Sequence, residues 1–152
     1  LFMDSDLDLP PEQLKIFLSF MDALKTDIVI GSKRHRLTKL YYPATRRILS
    51  FFYSLLLKAL FDLNVTDTQV GFKLMKSTVP KHVMPKILVK RYAFDVEFLV
   101  VAKKMGYSIA EAPVVIMFKG IESTVNPKQI WHIFVDTLSI FYRLHVKHYY
   151  DE

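Results

Sequence analysis

Residues 1–8 constrain the chain most. An apolar run, Leu1-Phe2-Met3, breaks into alternating acids at Asp4-Ser5-Asp6-Leu7-Asp8. A short strand of this kind leaves hard oxygen ligands at its carboxyl end, where open α/β sheets bind their ligands. A divalent cation carrying a phosphate suits such a place. Mg²⁺ or Mn²⁺ is gripped by one or two carboxylates and completes its shell with water and phosphate oxygens. Solvated acids at a strand end are the plain alternative. An EF-hand counted from Asp4 requires glycine at its sixth place and glutamate at its twelfth, where the chain has Leu9 and Lys15, so that reading is excluded. A phosphatase with Asp4 as phosphoryl acceptor also starts on an apolar strand and Asp-x-Asp, although Leu7-Asp8 replaces the usual Thr or Val after the second acid.

With 152 residues, 51% of them hydrophobic and 14% aromatic, the chain can bury one sizeable core, as a single domain or part of one. It opens without methionine inside what reads as a core strand, so a preceding portion is expected to be absent. The chain has no cysteine, which rules out a disulfide framework and a thiolate metal site. A net charge of +6 favours anionic partners: nucleotide phosphates, anionic lipid headgroups or nucleic acid. Lys58 and Asp62 interrupt the longest apolar stretch, and Asp136 and Arg143 the last, so no clear transmembrane helix is expected, nor a signal peptide.

Strand and helix patterns alternate. Pro10-Pro11-Glu12 opens a helix to about Lys25 with Leu14, Phe17, Leu18, Met21 and Leu24 on one face. Asp27-Ile28-Val29-Ile30-Gly31 reads as a buried strand ending in a turn glycine. After the basic stretch 32–36, a second helix opened by Pro43 runs to about Leu63, and its body is apolar almost all round, as in a helix deeply buried or lying against lipid. Asp67 to Lys73 reads as a loop entering a strand through Met75. Tyr92 to Met105 is helical and stopped by Gly106, and Tyr107 to Phe118 is extended around Pro113. Asn126 caps a last helix, with Pro127 first, running to about Tyr149. Its stripe of Trp131, Ile133, Phe134, Leu138, Phe141 and Leu144 suits core packing or an interfacial helix. The expected class is α/β, a sheet carrying the site under covering helices.

Five motifs stand in order: Phe2-Met3-Asp4-Ser5-Asp6-Leu7 with Pro10-Pro11-Glu12; Val29-Ile30-Gly31-Ser32-Lys33; Asp67-Thr68-Gln69-Val70-Gly71-Phe72-Lys73; Ala93-Phe94-Asp95-Val96-Glu97; and Glu111-Ala112-Pro113-Val114. Together they resemble the family 2 glycosyltransferases, and within them the polyprenyl-phosphate (dolichyl-phosphate) sugar synthases. The resemblance implies a GT-A fold, of which 1–126 would be the later part of the catalytic domain and 127–152 an amphipathic helix packed on it or at the membrane interface. The nucleotide-binding part would precede Leu1. It also implies inverting transfer of a hexose from UDP-glucose or GDP-mannose to a polyprenyl phosphate at the cytoplasmic face of a membrane, with no nucleic-acid partner. The Asp67 and Asp95 motifs lean towards the glucosyltransferase branch.

The same resemblance distributes roles. Asp4 and Asp6 would hold Mg²⁺ or Mn²⁺ across the donor's two phosphates, and Asp8 stands where the mannose synthases often have a metal-reaching Gln. Lys33 stands where the family usually has arginine, keeping the charge without the bidentate fork. Arg46 and Ser50 match an Arg-x-x-x-Ser that sets guanidinium and hydroxyl on one helical face for the acceptor phosphate. Lys119 is the cation left in the acceptor segment; Asp67, Gln69 and Gly71 fall to the donor sugar. Alternatives remain: Lys33, Arg34, Arg36, Arg46 and Arg47 as a solvated or lipid-facing basic patch, and Asp67 as a turn residue bonding nearby backbone. A phosphate acceptor is already ionised and needs no base, so Asp95 would organise the site or cap a helix; with a sugar-hydroxyl acceptor it would be the base. A non-catalytic basic domain binding membrane or RNA is the reading of another class.

Overall fold

Ile28-Val29-Ile30-Gly31-Ser32 is buried at every position, and a strand apolar on both faces must be covered on both and paired at its edges. The structure, a computed structural model, describes residues 1–4, 9–35, 44–115 and 127–151, with the backbone alone for 44–47. In it this segment is strand β2, inside a four-stranded sheet. Its neighbours are β3 (Phe72–Met75), antiparallel, with Ile28 opposite Met75, and β4 (Ile109–Pro113), parallel, from Ile28 opposite Ile109 to Ser32 opposite Pro113. Strand β1 (Phe2–Met3) lies antiparallel on the far side of β3. The carboxyl ends of β1, β2 and β4 and the amino end of β3 therefore share one edge of the sheet.

Side chains alternate across the pleat. Val29, Phe72, Leu74 and Ala112 face a small cluster around Phe17 of helix α1 (Leu14–Leu24). Ile28, Ile30 and Met75 face the larger cluster, where α2 (Ala44–Phe61) contributes Leu57 and Phe61, α4 (Phe94–Lys104) Val96 and Leu99, and α5 (Pro127–His145) Ile140. The result is a mixed sheet between helical layers. Asp27, just before β2, accepts from Lys76 Nζ at 2.8 Å and from Ser108 N and Oγ at 3.0 and 2.8 Å, and these bonds, led by Lys76, hold its pKa down at about 2.

Several expectations need correction. β1 is an edge strand, not a core strand: its only partner among the described residues is β3, and Phe2 stays 42% exposed while leaning on Phe94. Gly31 sits inside β2, not at a turn; a Cβ there would meet Val114 Cγ1 at 2.6 Å and Val70 Cγ1 at 2.8 Å, so close packing requires the glycine. A 3₁₀ turn, Pro11–Gln13, precedes α1, which ends before left-handed Lys25; Leu18 and Leu24 lie on its exposed side, and Phe17 with Leu14, Phe20 and Met21 forms the buried one. α2 is neither buried nor exposed all round: Leu57 and Phe61 are in the core, whereas Ile48, Leu49, Phe51, Phe52 and Leu55 are exposed. It stops before left-handed Asp62.

Thr78–Val83 forms α3, which the sequence conceals because Pro80 reads as a breaker; it falls in the first turn, where no N–H is needed. α4 starts at Phe94 rather than Tyr92, with Gly106 just beyond it at φ +84°. Its Asp95 does not cap the helix, because no side chain caps it. α5 ends at His145, and a 3₁₀ turn at Tyr149–Asp151 folds Tyr150 back into the core. Residues 116–118, Pro43 and Asn126 lie outside the described residues.

Candidate functional site

The segment from Thr66 to Gly71, which leads into β3, is bonded to residues just past the ends of β1 and β2 and to Glu111 within β4. Gly71 O accepts from Asp4 N at 2.8 Å, just past β1. A Cβ on Gly71 would lie 1.7 Å from Asp4 Oδ2, so the glycine vacates the volume that the Asp4 carboxylate fills. Asp67 Oδ2 accepts from Lys33 N, at the end of β2, at 3.4 Å. Thr66 and Asp67 bind the side chain of Glu111 on β4. Gln69 Nε2 donates to Tyr92 O at 3.3 Å, tying the segment to the residues before α4, and Gln129 of α5 donates to the Tyr92 hydroxyl at 3.1 Å.

Asp67 is half-buried. Burial pushes its pKa up, partly offset by the Lys33 charge and by the backbone N–H groups of Lys33 and Gln69. The bond from Gln69 N is the local Asx turn, so the bland role expected for this residue is present, alongside a carboxylate held at the end of β2. Asp95, in the first turn of α4, pairs at 3.0 Å with Lys73 Nζ. Lys73 is 3% exposed on the core side of β3 and also donates to Val70 O at 2.6 Å. A buried ammonium requires such partners, and here they clamp the start of α4 to β3. Ser50 is half-buried on α2. The Arg46 side chain, Asp6, Asp8 and Lys119 lie outside the described residues.

Among the described residues no group of three His, Cys, Asp or Glu is set to hold a metal. Asp4 still fits one position of a Mg²⁺ or Mn²⁺ shell, as a hard carboxylate at the carboxyl end of a strand and packed over a glycine.

Arg34, Glu97 and Gln13 hold joints to which the sequence reading gave no role. Arg34 Nη1 donates to Ser54 Oγ on α2 at 2.9 Å and to Thr66 O at 3.4 Å, so it is part of a joint rather than only of a basic patch. Glu97, fully buried one turn into α4, accepts from Leu88 N at 2.9 Å, Val89 N at 2.6 Å and Arg143 Nη2 at 2.9 Å, and from the Tyr150 hydroxyl. Burial and the bond to Glu97 push the Tyr150 pKa up. Burial works against the Arg143 charge, but the Tyr150 bond and the Glu97 charge raise its pKa all the same. For Glu97 the available signal was a glutamate amid apolar helix residues, and for Lys73, described above, a lysine in a core-facing strand register. Gln13, also buried, donates to Val115 O at 2.8 Å and accepts from Val115 N at 2.6 Å, fixing the chain as it leaves β4.

No family model matches the chain. Among curated proteins it is 33% identical over 90 residues to a dolichyl-phosphate beta-glucosyltransferase of Dictyostelium discoideum, covering 57% of this chain and 28% of that protein. It is 31% identical over 115 residues to an undecaprenyl-phosphate mannosyltransferase of Micrococcus luteus, covering 74% of this chain and 46% of that one. A dolichyl-phosphate beta-glucosyltransferase of Trichomonas vaginalis is 33% identical over 92 residues, 59% of this chain and 27% of its own length. The chain thus spans less than half the length of these relatives. The chain is similar over more than half of its length to these relatives, which are family 2 glycosyltransferases, and it folds around a small mixed α/β sheet.

Proposed function

We propose that the protein carrying this chain is a metal-dependent, inverting glycosyltransferase that moves a hexose from UDP-glucose or GDP-mannose to a polyprenyl or dolichyl phosphate. The observation that carries this reading is the 66–71 segment, which ties Asp4, Lys33 and Asp67 to the strand ends at one edge of the sheet, on a chain whose relatives are named for transfer to dolichyl and undecaprenyl phosphate. Asp4, with Asp6 and Asp8, would hold Mg²⁺ or Mn²⁺, which when bound supplies positive charge against the departing nucleoside diphosphate. Asp67 and Gln69 serve the donor sugar, and Gly71 leaves room for the Asp4 carboxylate beside them. Lys33, Arg46, Ser50 and Lys119 serve the acceptor phosphate. Asp95 keeps α4 on β3 through Lys73; a carboxylate so engaged suits organising the site better than accepting a proton.

The acceptor is a lipid, and the chain would meet it at a membrane surface on the cytoplasmic side. No helix among the described residues is long and apolar enough to cross a membrane. The exposed apolar residues of α2 and of α5, Trp131, Phe134, Val135 and Leu138, support contact by lying on the surface.

The test is transfer by the intact protein, with Mn²⁺ or Mg²⁺, from UDP-glucose and GDP-mannose in parallel to a short polyprenyl phosphate, beside an Asp6→Ala control. Product from one donor, lost in the control and on chelation, is the expected result. Binding of nucleotide with metal but no transfer to lipid phosphate would replace the acceptor with a sugar hydroxyl and make Asp95 the base. No metal-dependent nucleotide binding at all would overturn the enzyme reading in favour of a binding domain.

A further inference from the structure

Glutamate is a poor strand former, yet Glu111 occupies the middle of β4, opposite Ile30, flanked by two alanines. Its carboxylate is spent on two adjacent residues. Oε1 accepts from Thr66 N at 2.6 Å, from Asp67 N at 3.1 Å and from Thr66 Oγ1 at 2.9 Å, and Oε2 lies 3.0 Å from the same hydroxyl. An ionised carboxylate only accepts, so the Thr66 hydroxyl proton points to Glu111. The Ser32 hydroxyl, 2.8 Å from Thr66 Oγ1, must then donate to it, and Ser32 Oγ in turn accepts from Arg34 N at 3.2 Å. One carboxylate orients a chain of donors running from the end of β2 across to the 66–71 segment.

We infer that Glu111 is a positioning residue for donor binding: it fixes the peptide between Thr66 and Asp67 and so aims the Asp67 carboxylate at the edge where the sugar would sit. The inference rests on the glycosyltransferase reading for its effect on catalysis, and on hydrogen-bond geometry for its effect on the segment. Glu111 acts through two backbone N–H groups and a hydroxyl, not through its charge on a ligand. An amide oxygen can accept the same two N–H bonds. Glutamine at 111 would turn its amide N–H towards Thr66 Oγ1, and the Thr66 and Ser32 hydroxyls would rotate to pass their protons the other way. Aspartate, one methylene shorter, would fall short of the segment.

The experiment compares Glu111→Gln, Glu111→Asp and Glu111→Ala in the intact protein, by transfer kinetics and by hydrogen exchange of the Thr66 and Asp67 amides. The expected result is rescue by the isostere: Glu111→Gln keeps kcat/KM for the nucleotide sugar within about threefold of wild type, whereas Glu111→Ala and Glu111→Asp lose at least about tenfold. The loss should appear in donor KM and leave the KM for polyprenyl phosphate unchanged. Exchange at the two amides should quicken in the alanine and aspartate variants alone. A glutamine variant as impaired as alanine would overturn the inference, since it would mean that the charge itself is needed. An alanine variant with unchanged exchange would overturn it as well. A wild-type protein that transfers no sugar would defeat the glycosyltransferase reading, while the exchange comparison would still decide whether Glu111 holds the segment.

Discussion

At Gly71 the missing side chain leaves the volume that the Asp4 carboxylate fills, since a Cβ there would lie 1.7 Å from Oδ2. Gly71→Ala should therefore push the carboxylate aside while the bond from Asp4 N to Gly71 O survives. Expected is a fall of about 10- to 100-fold in kcat for sugar transfer, with stability lowered by only about 1 kcal/mol. Transfer rates across a Mn²⁺ titration, beside a thermal melt, measure both. Unchanged metal dependence in this variant would mean that the position of the Asp4 carboxylate does not matter. Asp4, Lys33, Asp67 and Asp95 were legible because carboxylates and cations next to short apolar runs stand out in a sequence. Lys73 and Glu111 were not given roles, because strand register decides which side chains turn inward, and register comes from pairings with residues far away in the chain. Gly71 was assigned to the donor sugar by resemblance; the group nearest its missing side chain is the Asp4 carboxylate.

Elements legible in the sequence were those with strong local punctuation, such as α4 with Gly106 behind it and α5 with Pro127 in front. β1 misled because three apolar residues look the same in a core strand and in an edge strand; pairing alone separates them. α5 shows what a stripe hides. Phe141 and Leu144 pack inward with Ile140 and Ile133 is half-buried, while Trp131, Phe134 and Leu138, assigned to the same stripe, stay exposed. The inner side is held to α2 by Tyr53 and Thr137, whose hydroxyls are 3.0 Å apart; burial lifts the Tyr53 pKa to about 12. Trp131 is the chain's single tryptophan and is 63% exposed, so it reports on the outer side. In a protein retaining no other tryptophan, vesicles containing anionic lipid should shift its emission to the blue, and lipids brominated near the headgroup should quench it. Emission unmoved by vesicles would assign the outer side of α5 to protein contact.

For the molecule as a whole, Glu97 is the buried charge on which the larger core turns, because it joins the 88–89 segment, α4, the end of α5 and Tyr150. Removing Glu97 leaves Leu88 N, Val89 N, the Tyr150 hydroxyl and the half-buried Arg143 charge without their acceptor, so Glu97→Ala should cost about 3–5 kcal/mol. Replacing Glu97 and Arg143 together by apolar residues of similar size should cost less than either single loss. Urea denaturation of the set decides this, and a double variant as unstable as the sum of the two singles would show that the pair does not act as a unit. Assembly has its own timetable. β2 is paired on one side by β3 and on the other by β4, whose Ile109 aligns with Ile28, so its two edges close at different points of the chain. During synthesis a strand apolar on both faces therefore keeps its β4 edge open until residues 109–113 emerge. Synthesis stalled before residue 109 should leave β2 paired on its β3 side alone, with one buried-type edge open to aggregation.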